Sequence, residues 1–356
     1  MKLSVKTDLK KESVAIPGPG EKIAVVRLSA LGDVIHTLPA VVQMARAFPS
    51  CSLDWICSPP VDKLLSVFNV ADHVYSLDLR HKPMRDALRE VRVFRLRNRD
   101  RYSLVVDFQG LIKSALVARM AGRNVLGFHS QNLREPLASL AYRLQADPWP
   151  GNSHVIYKNL HLLSALGVNT NTVQYPSLSY ATPSPRLQDF LDRLSPGSAG
   201  FCLLNTGAGW PTKIPPLDLL AQIGHIVASR VPAVLLWGNA AELDRARDIS
   251  NKTGIPLAPE TDFVDLVHLI RSATCIISAD TLALHLADVV DTPSVGLFAP
   301  TSPRRNGSLL PLSRAVVSTV ECRFCHRRTC NKMNCMAQIS TDSVYTAITE
   351  MLDASG

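Results

Sequence analysis

No stretch of this 356-residue chain approaches the roughly 20 uninterrupted apolar residues that a membrane-spanning helix needs. The first twenty residues, "MKLSVKTDLKKESVAIPGPG", lack the apolar core of a secretory leader, since lysines and a glutamate interrupt them. Glycine never falls into G-x-G-x-x-G or a Walker pattern, so neither the dinucleotide fingerprint nor the P-loop is present. Aromatics make up 6% of the chain and do not interleave with its arginine-rich segments, which counts against single-stranded nucleic acid as a partner. Four of the eight cysteines (Cys51, Cys57, Cys202, Cys275) are scattered, three of them in or beside apolar strand-like runs where small buried thiols are ordinary. These absences leave a soluble protein made and kept in the cytoplasm.

What is present alternates. "KIAVVRL" (22–28), "SLDWIC" (52–57), "HVYSLD" (73–78) and "SLVVDF" (103–108) are strand-like, and each precedes a helix-length segment. A polar, proline-rich stretch, "YPSLSYATPSPRL" (175–187), interrupts the rhythm. The alternation then restarts with "FCLLN" (201–205), "PAVLLWG" (232–238), "TCIISAD" (274–280) and "PSVGLFAP" (293–300). The reading is α/β with parallel sheets in two domains. A tail spans 1–21, a first domain 22–175, a linker 176–198, a second domain 199–340 and a closing helix 341–356. In such an architecture the ligand belongs beyond the carboxyl ends of the strands, in the cleft between the domains.

Three segments sit where that rule puts functional groups. In "RLSALGDVIHTLPA" (27–40), Gly32 allows a tight turn and Asp33 follows the first strand; a helix-capping role fits that aspartate equally well. In "NTGAGWPTKIPP" (205–216), Gly207 and Gly209 permit close backbone approach and Lys213 offers a positive charge, which suits a phosphate or a plain surface turn. In "ISADTLALHLADVVDTPSVGLFAPTSPRRNG" (277–307) a strand ends at Asp280-Thr281 and a helix begins, with free amides to meet an anion. His285 lies one turn into that helix, as a core residue or a functional one.

The net charge of +8 is concentrated. Residues 80 to 101 hold nine Arg or Lys against three acids, and residues 304 to 332 seven against one. Met84, Leu88, Val91 and Phe94 form a helical stripe bordered by Arg85, Arg89, Arg92, Arg95 and Arg99. This suits either an anionic membrane surface or a helix packed on the sheet with its arginines in water. "CRFCHRRTCNKMNC" (322–335) places Cys322, Cys325, Cys330 and Cys335 within fourteen residues, enough for a structural metal, although the paired C-x2-C knuckles of a zinc ribbon are missing.

Taken together, "KIAVVRLSALGDVIHTLPA", "TGAGWPTKIPP" and "SADTLALHLADVVDTPSVGLFAPTSP" resemble glycosyltransferase family 9, the ADP-heptose transferases of lipopolysaccharide core assembly. "VDFQGLIKSALVARMAG" (106–122) and "REPLASLAYR" (134–143) are similar to its heptosyltransferase I branch. The resemblance implies a GT-B fold: two Rossmann-like domains with parallel sheets facing a cleft, acceptor in the first and nucleotide sugar in the second. It implies inverting transfer of heptose from ADP-L-glycero-D-manno-heptose to the Kdo of Kdo–lipid A, with no required cofactor.

The motif S-x-x-G-D-x-x-H, here Ser29, Gly32, Asp33 and His36, makes Asp33 the general base. Lys213 would stabilise the departing ADP. Ala208, Gly209, Glu242, Asp280, Thr281, Leu282 and His285 fall on the donor side, with Glu242 toward the ribose. Arg80, Lys113 and Arg134 fall on the acceptor side. The chain departs from the family's Asp-Thr-Gly in having Leu282, and from the Trp- and Lys-rich loop of heptosyltransferase I in reading "HKPMRDAL". The resemblance also implies a monomer at the inner face of the cytoplasmic membrane. Heptosyltransferase II or another ADP-heptose transferase with a different acceptor keeps the fold and donor. A GT-B epimerase or inactive relative, and a nucleic-acid-binding protein with a Cys-rich zinc knuckle, are the readings from other classes.

Overall fold

A computed structural model of the chain describes residues 17–354, apart from 80–81, 99–100, 152, 169, 171, 180 and 195–199 and the side chains of 84, 87 and 88. Two separate parallel sheets organise it. The first comprises β1 (Lys22–Val26), β2 (Ser52–Cys57), β3 (His73–Ser76), β4 (Leu104–Asp107), β5 (Val125–Gly127) and β6 (Leu144–Gln145), in the order β3-β2-β1-β4-β5-β6. The second comprises β7 (Cys202–Asn205), β8 (Ala233–Leu236), β9 (Cys275–Ala279), β10 (Ser294–Phe298) and β11 (Arg314–Val317), in the order β11-β10-β9-β7-β8. Every strand pair is parallel. Helices cover both faces of such sheets, which is why the central strands are apolar throughout rather than alternating.

In each sheet the strand order reverses once, and the crevice at that reversal is where loops diverge and a ligand fits. In the first sheet it lies between β1 and β4. The chain leaves β1 toward Arg27 and the short helix Leu31–Ile35, and leaves β4 toward Phe108–Leu111. The two exits are tied together: Arg27 donates to the Phe108 carbonyl, and the Leu28 amide donates to Gln109 Oε1 at 2.7 Å. In the second sheet the reversal lies between β7 and β9, whose exits carry Thr206–Lys213 and Asp280-Thr281. Asn205 at the end of β7 donates to Ser278 Oγ (2.9 Å) and Thr281 Oγ1 (3.1 Å) beside β9.

One apolar cluster runs through both sheets. It includes Ile23, Trp55 and Leu104 from the first and Leu203, Val234 and Ile276 from the second. The proline-rich stretch read as a linker contributes a helix to it, Pro185–Leu194, with Leu187 fully buried. Ser184 starts that helix by accepting from the Leu187 amide at 3.2 Å, and is itself bound to the buried Asp265 carboxylate at 2.7 Å. The closing helix is Thr341–Asp353, packed by Val344, Ile348 and Met351 on the second sheet's own cluster.

The helix Met84–Asn98 buries Phe94 against Tyr75, rings edge-on at 6.0 Å, while Arg85, Arg89, Arg92 and Arg95 are exposed. Of the stripe read from the sequence, Phe94 is packed inside and Val91 is half-buried, the side chains of Met84 and Leu88 lie outside the described ones, and Val93 and Leu96 on the same helix are exposed. No helix among the described residues is long and apolar enough to cross a membrane.

Candidate active site

The two reversal crevices meet along a polar seam. Asp33 does not cap its helix: the cap position is Ala30, and Asp33 sits in the first turn, about one-third exposed. Its Oδ2 pairs with the guanidinium of the nearly buried Arg27 at 2.9 Å. One residue earlier, a Cβ on Gly32 would stand 2.7 Å from Cδ2 of His285, which comes from the other half of the chain. Gly32 is thus demanded by close approach across the seam rather than by a left-handed backbone.

His285 lies on the helix Leu282–Val289 and links both sides. Its Nε2 donates to Asp280 Oδ1 at 3.0 Å, and its Nδ1 shares a hydrogen bond with His36 Nε2 at 3.2 Å. His36 Nδ1 is buried with no partner. Burial first, then the neighbouring His285 and His154, hold the His36 imidazole well below its ordinary range and keep it neutral. His154 belongs to the same cluster: its Nε2 donates to the Gly307 carbonyl (2.8 Å) and its Nδ1 caps the helix Val155–Leu162 by accepting from the Ile156 amide (3.3 Å). Burial pushes it down to about 4.

Asp280 is the hub. Beyond His285, its Oδ2 takes Lys213 Nζ at 2.8 Å and Asn306 Nδ2 at 3.0 Å. Burial pushes the carboxyl up, but His285 and Lys213 outweigh it and hold the group well below the usual carboxylate range. The Lys213 ammonium also donates to the Asp280 carbonyl at 2.9 Å and lies 4.1 Å from the centre of the Trp210 ring. A continuous chain of contacts therefore leads from the helix of Asp33, through Gly32 and His285, to Asp280 and Lys213.

The remaining donor-side positions surround this pair. Glu242 folds over Gly207, where any Cβ would collide with its carboxylate, and accepts from the Gly238 amide at 2.8 Å. Ala208 is half-buried, and Gly209 is exposed with open space around it. Thr281 begins the helix Leu282–Val289 without capping it through its side chain, and Leu282 is half-buried against the shared cluster.

On the acceptor side, Lys113 and Arg134 are exposed on neighbouring segments, joined where Glu135 Oε2 accepts from the Ile112 amide at 2.8 Å. Arg80 lies outside the described residues. Lys158 stands between this rim and Asp33. Burial, then Arg305 and Arg27, lower its ammonium to about 8 against the pull of Asp33.

The four clustered cysteines are all free thiols. Cys322 and Cys325 are exposed, and the Cys335 thiol faces the Thr212 carbonyl at 3.6 Å. Among the described residues, no group of three or more His, Cys, Asp or Glu side chains is assembled for a metal ion. The segment is engaged elsewhere. Thr212 Oγ1 donates to the Arg327 carbonyl at 2.7 Å, and Arg328 stacks on Trp210 at 5.0 Å.

Sequence reasoning left Arg27, Asn306, Lys158 and Trp210 unassigned, and named His36 only as a motif member. Arg27 had a signal, a buried cation at the end of the first strand. Asn306 had none, because only the fold brings residue 306 to residue 280.

Two Rossmann-like parallel-sheet halves meeting at a polar seam define a protein of GT-B architecture. A profile of glycosyltransferase family 9 (heptosyltransferase) matches residues 91–336. Lipopolysaccharide heptosyltransferase 1 of Pseudomonas aeruginosa is 30% identical over 322 residues, 87% of each chain. Its counterpart in Escherichia coli K12 is 27% identical over 300 residues, 79% of this chain and 89% of that one. The structure of E. coli heptosyltransferase WaaC with ADP superposes with a TM-score of 0.73 at 23% identity, covering 93% of this chain and 99% of the other. The chain belongs to glycosyltransferase family 9.

Proposed function

We propose that this enzyme transfers heptose from ADP-L-glycero-D-manno-heptose to the Kdo of Kdo–lipid A, at the inner face of the cytoplasmic membrane and as a monomer. The acceptor hydroxyl attacks the anomeric carbon and gives its proton to Asp33. The bond from that carbon to the diphosphate oxygen breaks, ADP departs, and the anomeric centre inverts without a covalent intermediate. Arg27 orients the Asp33 carboxylate. Lys213 meets the charge developing on the leaving diphosphate, a cation aimed into a crevice where such interactions exceed their strength in water. Thr281 and the amides at the start of the helix Leu282–Val289 take the phosphates, and Glu242 takes the ribose. Lys113, Arg134 and Arg80 meet the acceptor's acidic groups.

The observation that carries this reading is the unbroken contact chain from the helix of Asp33 to Lys213. It supports the reading that Asp33 from one half and Lys213 from the other act across one seam. The similarity to heptosyltransferase 1 of two organisms supports Kdo–lipid A over an already heptosylated acceptor.

The test is ADP release from ADP-heptose, with and without de-acylated Kdo–lipid A. Release should depend on that acceptor. Asp33→Asn should lower kcat by ~10²–10⁴ while donor binding, measured by calorimetry, stays near wild type. Full activity in the variant would remove Asp33 as base, and turnover confined to a heptosylated acceptor would reassign the substrate.

A further inference from the structure

The stretch "REPLASLAYR" contains Pro136–Ala141, a 3₁₀ helix. Three residues per turn eclipse positions i and i+3, so Leu137 and Leu140 share one face and Ala138 and Ala141 the opposite one. Ala138 is buried in the cluster beneath, whereas Leu137 is 67% and Leu140 84% exposed. The helix Ile112–Ala121 packs alongside. There Ile112 and Leu116, one turn apart, are 40% and 58% exposed. Large aliphatic side chains grouped on two touching elements are unlike singly scattered surface leucines.

Charge selects the partner. Residues 111–143 hold five Arg or Lys and one acid, Glu135, which is directed at the Ile112 amide. Lys113, Arg119, Arg134 and Arg143 are all exposed around the leucines. Apolar tips inside a basic rim complement an anionic lipid surface, where the leucines enter the headgroup–acyl boundary and the cations meet phosphates.

The same segment reaches the site. The Asn132 carbonyl accepts from Lys158 at 2.9 Å, and Lys158 is near enough to Asp33 to feel its charge. Leu137, the first exposed leucine of this segment, therefore lies five positions after Asn132, which contacts the lining of the crevice.

We propose that Leu116, Leu137 and Leu140 insert into an anionic phospholipid bilayer and hold the mouth of the crevice at its surface. This rests on the reading that the acceptor sugar is lipid-anchored, but its test needs no acceptor. The full chain is floated with vesicles of phosphatidylethanolamine and phosphatidylglycerol, and separately with neutral phosphatidylcholine. Wild type should float with the anionic vesicles. Leu137→Ser/Leu140→Ser should weaken that partition by roughly tenfold or more, with donor binding and turnover of a de-acylated acceptor unchanged. Equal flotation of variant and wild type would overturn the proposal, as would failure of wild type to float. So would a concentration-dependent dimer that the variant abolishes, because the patch would then be a self-contact.

Discussion

At Gly32 the two halves of the chain pack too closely to admit a side chain. A methyl group there must displace the His285 ring, and His285 cannot move without releasing Asp280 or His36. Gly32→Ala should therefore cost about 1–3 kcal/mol of stability and lower kcat. His285→Ala will itself cost stability by unpairing Asp280 and His36, but in that background Gly32→Ala should cost little more, because the space is open. Thermal unfolding of the single and double variants checks this; strictly additive losses would mean the glycine serves something other than this contact. Asp33, Lys213 and Asp280 could each be singled out as candidates because their motifs are local, but the pairing of Lys213 with Asp280 and of Asp33 with Arg27 could not. Lys213 and Asp280 leave different strands, β7 and β9, and only the strand order makes these neighbours.

At the scale of elements, the cysteine-bearing segment 322–335 acts as a buttress for the turn that carries Lys213. Its backbone holds Thr212, and its Arg328 covers the Trp210 face, on which Lys213 also lies. Thr212→Val should lose about 1 kcal/mol of attachment. Trypsin should then cut faster at Arg327 and Arg328, and the donor KM should rise about fivefold. Unchanged proteolysis would mean that the hydrogen bond does not hold the segment.

The long strands read correctly from apolar runs. β5 and β6, of three and two residues, did not, and β11 did not although Ala315–Val317 is apolar, because it lies between a polar loop and the cysteine-bearing segment. The helix Pro185–Leu194 was readable after all. Leu187, Phe190, Leu191 and Leu194 keep helical spacing, and Pro185 is a favourable first residue; the surrounding prolines simply suggested a linker.

At the scale of the whole molecule, two buried histidines at the seam contribute a pH response of one sign. His154 is neutral when folded, with Nδ1 accepting and Nε2 donating, so an added proton would face the Ile156 amide. Its folded value of about 4 lies below the ordinary 6.5. Between these values the unfolded chain binds a proton that the folded chain refuses. Stability therefore rises with pH across that window and is lost as the solution is acidified. The single group accounts for about 3 kcal/mol, and buried His36 adds in the same direction. Unfolding free energies measured from pH 7 to 4 should fall accordingly. His154→Asn, which keeps a capping oxygen, should flatten the slope; an unaltered slope would place the titration elsewhere.

The apolar cluster shared by both sheets sets a bound on how this enzyme can move. Any swing wide enough to part the halves would have to split the apolar cluster they share, which favours admitting substrate by small rocking over wide opening. A nick between residues 176 and 198 would for the same reason leave the two pieces clasped.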